Sequence, residues 1–175
     1  MPTHYKTLPI PAFPQYTRMF EAGPVTFGVE YRLLNEKMIR DAYGENAREQ
    51  FDNTLPPTLT GTIDEDGVSV HVFGSQDHLE YLRFDCFADF PHYHYITARE
   101  GHQTVMDFDA IADGPILSWT LGCLRSRLPA MLTRSGAPDL AEKLDRTQLD
   151  RVLDEVGDEI KAAVTRGKPT RFDAD

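Results

Sequence analysis

The hydrophobic period of this chain changes once, and that change limits it to a sheet followed by helices. From Thr58 to Arg99 apolar side chains recur at every second position, whereas after Asp109 they recur three and four apart. These are the spacings of a half-buried strand and of a helix face.

Within the first region, strands are expected over Thr58–Ile63, Val68–Gly74, Leu79–Phe87 and His92–Arg99, with a further short one at Thr104–Phe108. Asp64–Gly67 reads as a turn, as do Ser75–His78, Ala88–Pro91 and the Glu100–Gln103 link. Links this short join antiparallel neighbours, so the strands form a meander. Upstream, Val25, Phe27, Val29, Tyr31 and Leu33 alternate with smaller or polar residues and mark another strand. Asn35 then stands as an N-cap for a helix carrying Met38, Ile39, Ala42 and Tyr43, interrupted at Gly44 and resuming through Ala47 and Phe51. Asn53–Pro57 is a connection.

In the second region, Ile116, Leu117, Trp119, Leu121, Leu124, Leu128, Met131 and Leu132 describe a buried central helix, begun at Asp113-Gly114-Pro115 and broken near Pro129. Trp119 reads as a core anchor. A last helical stretch carries Leu140, Leu144, Leu149, Val152, Leu153, Val156, Ile160 and Val164. Its acids, Asp139 through Glu159, read as a solvated face. The fold class is therefore α+β: a single antiparallel sheet of four to six strands covered on one face by C-terminal helices. One such domain is expected over residues 21–169, after an extended arm at 1–20 and before a frayed acidic tail at 170–175.

The arm is set apart by prolines at 2, 9, 11 and 14, interleaved with Tyr5, Leu8, Ile10, Phe13 and Tyr16. Proline prevents a helix here and favours an extended path, and the apolar groups need a groove. That groove belongs either to the same domain or to a neighbouring chain, which makes a homo-oligomer or protein partner held through the arm an expectation.

Charge narrows the partners. Eighteen Lys and Arg against 28 Asp and Glu leave a formal charge of −10, which repels nucleic acid and anionic membrane surfaces at long range. No stretch reaches the roughly 18 apolar residues of a membrane span, and no basic-then-apolar leader opens the sequence, so a cytoplasmic location is expected. Cys86 and Cys123 form no paired motif and read as small buried hydrophobes.

Chemistry concentrates in the meander. In the hairpin, Val68, Val70 and Val72 match Cys86, Phe84 and Leu82 on one face, which puts His71 beside Tyr81, Arg83 and Asp85 on the other. For the next strand, the register that buries Ile96 with Leu82 and Phe84 is favoured. It sends His92 and His94 toward the helices and Tyr93 and Tyr95 to the polar face. The opposite register brings both histidines to His71 and Asp85, where a three-histidine or two-histidine, one-carboxylate set becomes possible.

The candidate ligand-binding residues are thus His71, Tyr81, Arg83, Asp85, His92, Tyr93, His94 and Tyr95, with Glu30 and His102 as further contributors to any chemistry. There is no dinucleotide or phosphate loop, nucleophile elbow, EF-hand loop or HExxH, so no cofactor is expected and no metal is assigned. The leading reading is a binding or accessory-subunit protein that uses the sheet face and the arm for a small molecule or partner. The alternative is a metal-dependent or acid–base enzyme, a hydrolase or lyase acting on a small, anionic substrate.

Overall fold

The computed structural model describes residues 2–45 and 64–168. The strand expected at Thr58–Ile63, the helix continuation through Ala47 and Phe51, the connection at Asn53–Pro57 and the tail at 170–175 lie outside the described residues.

Among the described residues, seven strands form one antiparallel sheet: β1 (Thr3–Tyr5), β2 (Thr17–Ala22), β3 (Val25–Asn35), β4 (Asp64–Gly74), β5 (Glu80–Phe87), β6 (His92–Thr97) and β7 (His102–Asp107). Their order is β1-β7-β6-β5-β4-β3-β2, so consecutive strands from β2 to β7 are neighbours. The class is α+β, with more strands than the four to six expected. The extra edges come from the arm: Thr3–Tyr5 pairs with β7 and Thr17–Ala22 with β3, each in a stretch free of proline. Edge strands suit such a segment, because a neighbouring proline removes no bond from the sheet interior.

Helix α1 (Glu36–Tyr43) follows β3 directly, and its cap is the Asn35 side chain, which accepts from the Met38 N–H at 2.9 Å. After β7 come α2 (Ala110–Asp113), α3 (Ile116–Ser126), α4 (Leu128–Arg134), α5 (Pro138–Glu142) and α6 (Arg146–Arg166). The expected central helix divides at Arg127, with Pro129 in the first turn of α4, where its missing N–H costs least. One buried cluster joins Phe27, Val70, Leu82 and Phe84 of the sheet to Leu124, Leu128, Leu153 and Val156 of α3, α4 and α6.

Asp64–Gly67 is strand rather than turn: it pairs with Arg32–Asn35 along the far end of β3. Gly67 is there for close approach, since a Cβ would lie 2.7 Å from the Cys86 carbonyl oxygen.

The favoured register of the third meander strand is overturned. Tyr93 stands opposite Phe84, and His92 and His94 stand opposite Asp85 and Arg83, so the histidines share the polar face and the tyrosines the helix face. The burial of Ile96 is not the only apolar contribution to this register. The helix face instead gains two tyrosine rings: Tyr93 packs 5.1 Å from Trp119 and 6.0 Å from Phe84, and the Arg134 guanidinium lies 4.0 Å over Tyr95. Nor does Ile96 lose burial on the other side, because the arm covers it; it is 1% exposed and shares a cavity wall with Leu8, Pro9 and Pro11.

Candidate functional site

The polar face of the sheet is a buried interior, because the arm and α1 close over it. Arg32 holds the arm in place. Its guanidinium donates to the Ile10 carbonyl at 2.8 Å and to the Pro11 carbonyl at 3.2 Å, and it lies 5.4 Å over the Phe13 ring. A proline-rich arm keeps its carbonyl acceptors while lacking several N–H donors, so a buried cation is a suitable anchor for it. Ile10 and Ile39 of α1 pack together with Phe13, Leu34 and Tyr43 around them. Within this one chain the arm lies in a groove of its own domain.

Two separate polar groups lie beneath that cover. The first is a chain of ions. His71 Nδ1 meets Glu80 Oε1 at 2.6 Å and its Nε2 meets Glu30 Oε2 at 3.1 Å, while Arg83 donates twice to Glu80, at 2.8 and 2.6 Å. Arg32 lies 3.4 Å from Glu30. Burial disfavours the charged His71 ring, but the Glu80 charge and the bonds to both glutamates outweigh it and raise its pKa. Burial likewise pushes the Glu80 carboxyl up, and Arg83 and His71 bring it well below its usual range.

The second group is Asp85, His92 and His94. Their ligating atoms all lie within 4.8 Å of one another, and all three residues are buried. His94 Nε2 is 2.9 Å and His92 Nε2 is 3.3 Å from the same carboxylate oxygen, Asp85 Oδ2. The outer atoms are held too. His92 Nδ1 faces the Phe90 carbonyl at 2.8 Å, His94 Nδ1 faces Gln103 Oε1 at 2.7 Å, and the Ser69 hydroxyl donates to Asp85 Oδ1. Burial lowers the His94 pKa, while Asp85 is held well below the usual carboxylate range, its two histidine neighbours overcoming the effect of burial.

These three residues open onto a chamber of about 130 Å³. Its walls are mainly apolar, with Ile10, Leu34, Ile39, Phe87, Phe90 and Val105 among them, and its polar lining includes Arg32, Arg83, Glu65 and Gln103. Burial, reinforced by the Asp89 charge, raises the Glu65 pKa.

The structure thus divides the expected set. Arg83, Asp85, His92 and His94 line the chamber. His71 shares their sheet face but is engaged by Glu30 and Glu80, so no three-histidine cluster forms among the described residues. Tyr93 and Tyr95 face the helices. Tyr81 joins the apolar core because a bulge after Val72 puts Glu80, not Tyr81, on the polar face; its hydroxyl donates to Asp77 at 2.6 Å. His102 is exposed beside Glu100. Gln103 and Arg32, absent from the expected set, also line the chamber; the alternation of Glu30 and Arg32 within the apolar β3 strand is the sequence sign of a second buried face.

Residues 19–160 match the family described as Domain of unknown function (DUF7700), and the chain belongs to that family. No curated protein and no solved structure matches it.

Proposed function

We propose that this DUF7700 chain is a binding protein for a small, largely apolar molecule, seated between the polar sheet face and the N-terminal arm. The observation that carries the reading is the chamber itself: apolar walls from the arm, α1, β3, β5 and β7, and Asp85, His92 and His94 gathered at one place in its lining. Few precisely placed polar groups in an apolar recess are the usual make-up of a ligand site. The volume of about 130 Å³ compares with the roughly 150 Å³ engineered cavity that admits benzene, which sets the occupant near one six-membered ring. An anionic substrate is less well served than the sequence implied, because Arg83 is paired twice with Glu80 and Arg32 is occupied by the arm.

The test is a two-dimensional NMR titration with ring-sized compounds bearing one polar substituent, on wild type and on Ile39→Trp, which fills the chamber. Shifts confined to the His92 and His94 rings and the Ile10 and Ile39 methyls, and lost in Ile39→Trp, support the reading. A set of such compounds that leaves these signals unmoved, or moves them equally in Ile39→Trp, overturns it.

An acid–base hydrolase or lyase is the second reading, favoured by the 2.9 Å contact of His94 with a buried carboxylate and by Glu65 in the same chamber. Turnover that disappears in His94→Gln while ring-compound binding persists distinguishes it from simple binding. Self-association through the arm is a further proposal: the arm of a second copy carries the same Ile10 and Pro11 carbonyls that the Arg32 guanidinium binds here.

A further inference from the structure

We propose that Asp85, His92 and His94 bind one divalent first-row transition-metal ion, with its remaining coordination positions facing the chamber. The inference uses the same recess as the ligand-binding reading, but it concerns the three side chains alone and holds whether or not an organic molecule enters.

Hydrogen-bond direction carries most of the weight. The Phe90 carbonyl can only accept, so His92 must donate from Nδ1. The neutral ring then has its lone pair on Nε2, 3.3 Å from the Asp85 carboxylate oxygen. With its Nδ1 facing Gln103 Oε1 at 2.7 Å, His94 donates there, and in its neutral form the ring directs a second lone pair at the same oxygen, 2.9 Å away. With both rings neutral, two nitrogen lone pairs and a carboxylate oxygen converge in a buried place, an arrangement that needs a cation between them: a proton on Nε2, or one metal ion shared by all three. Ligating histidines characteristically donate their other ring N–H to a carbonyl or carboxylate, and both of these do. Ser69, donating to the far oxygen Oδ1, leaves Oδ2 for the ion.

Spacing agrees with this. Bonds of about 2.0–2.1 Å around a metal put neighbouring ligand atoms about 3.0 Å apart in an octahedron and about 3.3 Å apart in a tetrahedron. The two nitrogen-to-oxygen separations are 2.9 and 3.3 Å. The sequence supports the arrangement: His92 and His94, two apart on β6, share one face, and Asp85 stands opposite His92 on β5. Two imidazoles and one carboxylate, with no thiolate, select zinc, iron(II), cobalt or manganese over soft ions, and three protein ligands leave positions for water or a ligand oxygen.

The experiment is a titration of chelator-stripped, untagged full-length protein with cobalt(II), read by visible absorption, and with zinc(II), read by calorimetry. One equivalent of each is expected to bind, with cobalt d–d bands that saturate at one equivalent. His92→Ala/His94→Ala should abolish them, while the exposed-histidine control His102→Ala keeps them. Gln103→Ala removes only the outer partner of His94 and should weaken binding about 10–100-fold, with circular dichroism reporting whether each variant is folded. No saturable binding of either metal up to about 1 mM, roughly a thousandfold above a micromolar Kd, by folded wild type overturns the proposal. So do cobalt bands that survive unchanged in the double variant. Because no organic ligand is present, failure here leaves the ligand-binding reading standing, and failure of the NMR titration leaves this one standing.

Discussion

His94 stands directly opposite Arg83 across the β5–β6 ladder, yet its imidazole reaches Asp85, two residues further along the same face, with Nε2 2.9 Å from the carboxylate oxygen. Diagonal neighbours on one sheet face are within reach of long side chains. Arg83 turns instead to Glu80. The polar face therefore separates into an ion chain around His71 and a histidine–carboxylate group at the chamber, with Arg83 and Asp85 only two residues apart at the division.

The ion chain makes stability depend on pH. His71 has a pKa raised in the fold, so it contributes stability that is complete below its unfolded value of about 6.5 and is lost as pH rises through the folded value. Glu80 is depressed, so its contribution is complete above about 4.3 and is lost on acidification. The groups facing His71 are Glu30 from β3 and Glu80 and Arg83 from β5, with Phe73 stacked at 5.7 Å. Thermal melts should be highest between these limits and fall above about pH 6.5. In His71→Gln the decline on the alkaline side should be smaller; an equal decline would assign it to other groups.

Removing the anchor of the arm should release it. Arg32→Met keeps most of the volume but leaves the Ile10 and Pro11 carbonyls without their donor and Glu30 with His71 as its remaining basic neighbour. Breaking a buried charge pair typically costs about 3–5 kcal/mol. Urea unfolding should show a loss of that order, and limited proteolysis should cut residues 6–13 well before the rest of the chain. Protection equal to wild type would show that Ile10 and Phe13 packing suffices.

Deleting residues 2–15 tests what the arm joins. If a second copy supplies the arm, size-exclusion chromatography with light scattering will show the full chain larger than a monomer and the truncated chain reduced to one. An unchanged mass for both confines the arm to its own sheet, as the Arg32 contacts have it.

Gly67→Ala should destabilise although it adds one methyl. The new carbon would meet a backbone oxygen at 2.7 Å and the Phe87 Cα at 3.1 Å, and backbone in a central ladder cannot yield as a side-chain tip does. A loss of about 1–3 kcal/mol is expected from denaturant unfolding.

On the helix side, Phe84 is fully buried between Trp119, at 6.1 Å, and Tyr93. Phe84→Ala should cost about 3–5 kcal/mol in the same measurement. It should also quench or shift Trp119 fluorescence in the native state, and unaltered emission would place the indole in a different environment.

The residues themselves determined whatever depends on near neighbours. The β3 strand, the Asn35 cap, the change to helical period after Asp109 and the pairing of Val68, Val70 and Val72 with Cys86, Phe84 and Leu82 all follow from local alternation, short links and matched apolar faces. The period of two also showed that His92 and His94 share a face. Which face they share was beyond it, because a strand with apolar groups on both sides has no unique inside until the rest of the chain is placed. Trp119 and Arg134, arriving from helices far along the sequence, took up Tyr93 and Tyr95. The arm, held by Arg32, turned the opposite face into an interior where Ile96 is equally well buried. Those distant contacts, summed over both faces, decided the register by burial on each side, and with it the meeting of Asp85, His92 and His94.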